Sequence, residues 1–114
     1  GAPTYAPDIA EGILAVARVA LAGTGGSAWR GVFHMTAAGE ASWAGFAEAV
    51  FAESAAHGGP SARVEPITMA DYPTPARRPA NSRLDNSKFR AVFNHALPDW
   101  RDGVRRCVRE CART

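Results

Sequence analysis

Apolar positions recur at helical spacing in four stretches of the chain. From Asp8 to Leu21, the residues Ile9, Ile13, Val16, Ala17 and Ala20 fall on one stripe and predict a helix. Asp8 reads as its N-cap, with Glu11 three positions on as a capping-box partner. Ser42 reads as the cap of a second helix running to about Ser54, with Trp43, Phe46, Ala47, Val50 and Phe51 on one face. A short third helix is predicted over Asn86 to Phe93, capped by Asp85 or Asn86. A fourth follows Pro98 from Asp99 to Arg113, with Trp100, Val104, Cys107, Val108 and Cys111 as its buried stripe. Between these the periodicity changes. The run Gly31-Val-Phe-His-Met-Thr36 is continuously apolar around one histidine, the pattern of a strand buried on both faces in a parallel sheet. Val64-Glu-Pro-Ile67 is a weaker strand candidate, confined to an edge by its proline, and residues 82–84 read as extended. The expected fold class is therefore α/β and mostly helical: about four helices with two or three short strands.

Composition narrows the picture only a little. The 114 residues suffice for one domain, spanning 1–114, with a modest core. A net charge of +2 gives no strong electrostatic footprint for nucleic acid, although basic residues gather toward the C-terminal third. No apolar run approaches a membrane span, and residues 1–10 lack the basic start of a signal peptide. Neither a membrane nor a nucleic-acid partner is expected. Cys107 and Cys111 lie four apart, so on a helix they project in parallel rather than toward each other. They read as core thiols in a reducing cytoplasm, and two ligands alone make a poor zinc site.

Most chemistry-bearing residue types lack a functional context. The glycines of Gly23-Thr-Gly25-Gly26 follow a helix rather than a strand, so they read as a C-cap and loop, not a phosphate cradle. His34, His57 and His95 lack ligand spacing. No serine stands in a nucleophile elbow, and neither tyrosine begins a Tyr-x-x-x-Lys pair. Glu40, in the turn after the predicted strand, reads as a structural group bonding nearby backbone amides. Arg105, Arg106, Arg109 and Arg113 read as a solvated helix face.

The exception is Tyr72-Pro-Thr-Pro-Ala-Arg-Arg-Pro-Ala-Asn-Ser-Arg-Leu-Asp85. It packs three prolines and three arginines into fourteen residues. Proline fixes φ and lowers the entropy lost on ordering a loop. Arginine offers a planar donor fork that matches phosphate. Two readings stand: a rigid loop whose arginines pair with local carboxylates, or a ligand-gripping loop. In the second, Arg77, Arg78 and Arg83 meet a diphosphate, while Asn81 or Ser82 meets polar ligand edges.

This loop resembles the most specific C-terminal signature of the dTDP-4-dehydrorhamnose reductases. Gly1-Ala-Pro-Thr4 before a helix, Gly31-Val-Phe-His-Met-Thr followed by Gly39-Glu-Ala-Ser-Trp43, Asn86-Ser-Lys-Phe and Leu97-Pro-Asp-Trp-Arg101 resemble the same family in order, nearly end to end. A related segment occurs in the regulatory β subunit of methionine adenosyltransferase. A non-catalytic regulatory module is thus the alternative, with a small basic helical binding domain third. The resemblance implies an extended Rossmann-type reductase in which NADPH reduces a dTDP-sugar at C4, in the cytoplasm. The chain would be its C-terminal substrate-binding fragment. The glycine fingerprint and the Tyr-x-x-x-Lys pair are not in this sequence, so the Rossmann cofactor domain is expected to be absent. The fragment is expected to hold no catalytic residues, to bind no NADPH and to be inactive alone. The strand 31–36, orphaned from its sheet, is expected to drive self-association.

Overall fold

Tyr5 N-caps the first helix, α1 (Ala6–Ala22), in a computed structural model that describes residues 1–23 and 26–113. The helix starts two residues earlier than its apolar pattern suggests. Pro7 explains this, because a proline is tolerated in the first turn, where its missing N–H is not needed. Asp8 therefore sits inside the helix rather than capping it. Gly23 ends α1 in the left-handed conformation at φ 66°. The next two residues of the glycine cluster, 24 and 25, lie outside the described residues.

The expected stripe on α1 is rotated. The buried residues are Asp8, Gly12 and Ala15, whereas Ile13 is 59% and Leu21 89% exposed. The small ridge is buried because another segment approaches it closely: a Cβ on Gly12 would overlap the Met35 sulfur.

Helix α2 (Trp43–Ala56) opens on Ser42, whose hydroxyl accepts from the Gly45 N–H at 3.0 Å. It packs along α4 (Trp100–Ala112), where Asp99 is the cap and its carboxylate accepts from Arg101 N. Phe46 and Val50 of α2 cover a core of Ala37, Trp100 and Val104, but Trp43 faces solvent. Cys107 and Cys111 are also exposed instead of completing the α4 stripe. A single 3-10 turn covers Met69–Asp71, and the short α3 (Ser87–Phe93) lies against α1. Phe89 and Phe93 of α3 are buried. Their rings stack at 4.9 Å, and Phe33 packs on Phe93 at 5.0 Å.

The expected α/β class does not hold. Among the described residues there is no β-strand, so the expected Rossmann-type sheet architecture is overturned as well. The one bridge is isolated and parallel, Ala38 with Asp99, made by Ala38 N to Pro98 O and Trp100 N to Ala38 O, both 3.0 Å. A strand exists only beside a neighbour, and the segment 31–36 has side chains for neighbours. Asn86 grips Thr36 three ways: its Oδ1 accepts from Thr36 N, and its Nδ2 donates to Thr36 O and Oγ1. Thr4 Oγ1 accepts from Ala37 N, and Lys88 Nζ donates to Val32 O. No hydrogen bond among the described residues uses the backbone of Phe33, His34 or Met35. Residues 64–67 and 82–84 likewise form no strand.

Candidate functional site

The turn that follows residue 36 is the firm side of the candidate site. Ala38 is bonded on both its N–H and its C=O to the start of α4, and Ala41 N donates to Gly1 O at 2.9 Å. Gly39 lies between them at φ 83°, a conformation that side chains with a Cβ rarely adopt. A Cβ there would also stand 2.7 Å from Asp99 Oδ2. Glu40 is thus held on a turn with little room to move.

The loop 72–85 forms the other side, and every residue of it is exposed. At its far end Asn81 Oδ1 accepts both the backbone N–H and the Nε–H of Arg83, each at 3.0 Å. Arg83 Nη1 then donates to Glu40 Oε2 at 2.8 Å. Gly1, Ala2, Thr36, Gly39, Glu40 and Arg83 line a small polar recess between turn and loop. Leu84 completes this lining, and Ser82 lies beside Gly1.

The five residues singled out in the loop are therefore not one cluster. Asn81 and Arg83 are brought together at the recess, with Ser82 next to it. Arg77 and Arg78 stand away from it, and among the described residues neither makes an ion pair or hydrogen bond. Glu40 carries a role that spacing did not reveal: it pairs with an arginine 43 positions away rather than with local amides. No sequence signal short of the fold itself joins those two positions.

The remaining candidates stay apart. His34 is exposed, His57 pairs with Glu53 at 3.3 Å, and His95 meets the edge of Phe89. No group of three or more His, Cys, Asp or Glu that could hold a metal ion occurs among the described residues. The Cys107 thiol is pushed up, first by desolvation and then by neighbouring Cys111. Gly23 caps a helix C-terminus instead of opening a helix, so it does not fit the pyrophosphate of a dinucleotide. No helix among the described residues is long and apolar enough to cross a membrane.

A family model described as the RmlD substrate binding domain matches residues 1–113. Among the similar proteins is a dTDP-4-dehydrorhamnose reductase of Sinorhizobium fredii, 44% identical over 95% of this chain and 36% of that protein. Another, from Burkholderia thailandensis, is 45% identical over 96% of this chain and 39% of its own length. That of Escherichia coli K12 is 40% identical over 96% and 36%. The chain thus spans little more than a third of these relatives. A match of this extent, carried through α1, the 36–40 turn, the arginine loop and α4, makes the chain a member of the dTDP-4-dehydrorhamnose reductase family, by way of its substrate-binding domain.

Proposed function

We propose that this chain is the sugar-nucleotide-binding part of a dTDP-4-dehydrorhamnose reductase, and that the loop 72–85 grips the diphosphate of the dTDP-sugar. The observation that carries the reading is the loop itself. It is stiffened by Pro73, Pro75 and Pro79, and it presents Arg77 and Arg78 with no carboxylate partner among the described residues. Exposed guanidinium groups on a stiff backbone lose little entropy when they close on an anion. Asn81, Ser82 and Arg83 lie at the far end of the loop, at the recess beside Gly1 and Glu40. Loop and recess together offer donors for phosphate and an acceptor for hydroxyl groups.

In this reading NADPH supplies the hydride for reduction of the sugar ketone. Residues 1–114 hold and orient the substrate, and they supply neither the cofactor site nor the proton donor. The chain alone does not turn over, and the enzyme works in the cytoplasm. The unpaired backbone of 33–35, with Val32 76% exposed beside it, supports association through 31–36 when the chain is isolated.

The test is calorimetric titration of dTDP into the intact protein and into its Arg78→Ala and Asn81→Ala variants. Loss of a charge-assisted phosphate contact in Arg78→Ala is expected to weaken binding by about 1.5–3 kcal/mol, and Asn81→Ala, which releases Arg83, by less. Wild-type affinity in both variants defeats the assignment.

A further inference from the structure

Resting on that reading of the loop, we infer that Glu40 is its positioning residue: it anchors Arg83 as the loop's pivot and leaves the grip on a nucleoside diphosphate to Arg77 and Arg78. The geometry divides the arginines into two kinds. Two of the three guanidinium nitrogens of Arg83 are committed, Nε to Asn81 Oδ1 and Nη1 to Glu40 Oε2. Two of its five N–H donors are taken and its charge is balanced by Glu40, so Arg83 is the least available of the three for phosphate. The guanidinium groups of Arg77 and Arg78 have no such commitments among the described residues.

The anchor is built on the firmer partner. Glu40 stands on the turn fixed by the Ala38–Asp99 bridge, the Ala41–Gly1 bond and the tight packing of Gly39 on Asp99 and Trp100. Arg83 belongs to a fully exposed loop with no buried residue of its own. Among the described residues, Arg83–Glu40 is the ion pair that ties this loop to the turn. Asn81 sets the fork of Arg83 from behind, so the pair fixes a direction for the chain as well as a distance. The arginines five and six positions earlier then project from a chain already pinned at one end. Such pre-organisation improves binding by reducing what must be ordered when the ligand arrives. Both partners are more than half exposed, so the tie is modest and sensitive to salt.

Hydrogen exchange at the Arg83 amide, which donates to Asn81 Oδ1, followed by NMR, reads the anchor without any ligand. Glu40→Ala and Arg83→Ala are each expected to speed exchange there roughly two- to fivefold, with the double variant no faster than either single one. Glu40→Gln, which keeps an acceptor oxygen, is expected to fall between wild type and Glu40→Ala. Both Glu40 and Arg83 are exposed, so an unchanged circular dichroism spectrum is the expected control for folding. Titration of dTDP into the intact protein reads the division of labour: Glu40→Ala and Arg83→Ala are expected to weaken binding by the same small factor, and Arg78→Ala by roughly tenfold or more. Unchanged exchange in Glu40→Ala overturns the inference. So does an Arg83→Ala variant that loses tenfold more affinity than Glu40→Ala, because Arg83 then touches the ligand itself. If the wild-type protein binds no dTDP, the proposed function falls, while the exchange measurements still decide whether Glu40 holds the loop.

Discussion

At the scale of single residues, Arg106 ties the last helix to the first. Its guanidinium donates to Asp8 on α1 and to Asp102 on its own helix at 2.9 Å, and it lies over the Tyr5 ring at 4.9 Å. The Asp8 hydrogen bond, foremost among these contacts, holds Arg106 in its charged form more firmly than usual. Asp8 is only 7% exposed, so its carboxylate depends on this partner. Removing Arg106 leaves a desolvated charge behind, which costs more than the attraction itself contributes. Arg106→Ala is expected to destabilise the chain by about 1.5–3 kcal/mol in urea unfolding. Asp8→Asn combined with Arg106→Ala is expected to recover part of that loss, since no unpaired charge then remains.

At the scale of elements, Ser42 and Asp99 cap α2 and α4, and the start of α3 is expected to respond to pH. Asp85 Oδ1 accepts from Ser87 N at 2.8 Å. The bonds from Ser87, backbone first, hold the Asp85 carboxyl below its ordinary value, with Arg90 and His34 adding smaller effects of the same sign. A carboxyl lowered on folding stabilises the folded form above its unfolded pKa. It loses that contribution as pH falls through the ordinary carboxylate range to the folded pKa. The Ser87 amide resonance is therefore expected to hold steady near neutral pH and to move toward its random-coil position in acid, with Asp85→Asn removing most of the response. Local grammar of this kind made the starts of α2, α3 and α4 legible, at Ser42, the residues flanking position 86 and Asp99, whereas α1 was legible from its periodicity and its expected cap, Asp8, lies inside it. What the sequence hid was relational. Ile13 belongs to a helical stripe by spacing, yet it faces solvent, because Met35 arrives over Gly12 instead. Gly31 to Thr36 has the composition of a strand, but a ladder needs a second backbone and Asn86 supplies only a side chain. The arginine loop was legible as stiff and cationic. The split between Arg83 and its neighbours was not, since it depends on Glu40 being folded against it.

At the scale of the whole molecule, the chain is open. Its radius of gyration is 17.2 Å, with extents of 51 × 37 × 20 Å, whereas a closed domain of this length is expected near about 13 Å. The buried core is small, and Leu21, Val32, Trp43 and Tyr72 are each more than two-thirds exposed. Apolar surface left outside in this way favours contact with a further surface, consistent with relatives nearly three times as long.

The Asn86 clasp on Thr36 has a consequence for colloidal behaviour. An edge with free backbone groups is a seed for uncontrolled stacking, and proteins blunt such edges. By occupying both the N–H and the C=O of Thr36, the Asn86 amide confines any added strand to the few residues before it. Any contact made there is therefore expected to stay short instead of lengthening into a ladder. Asn86→Ala is expected to lift that restraint, with faster growth of light scattering and thioflavin fluorescence at high concentration than in the parent chain. Equal rates in both proteins would mean the clasp is no guard. Slower growth in the parent chain would make one carboxamide the guard of that edge.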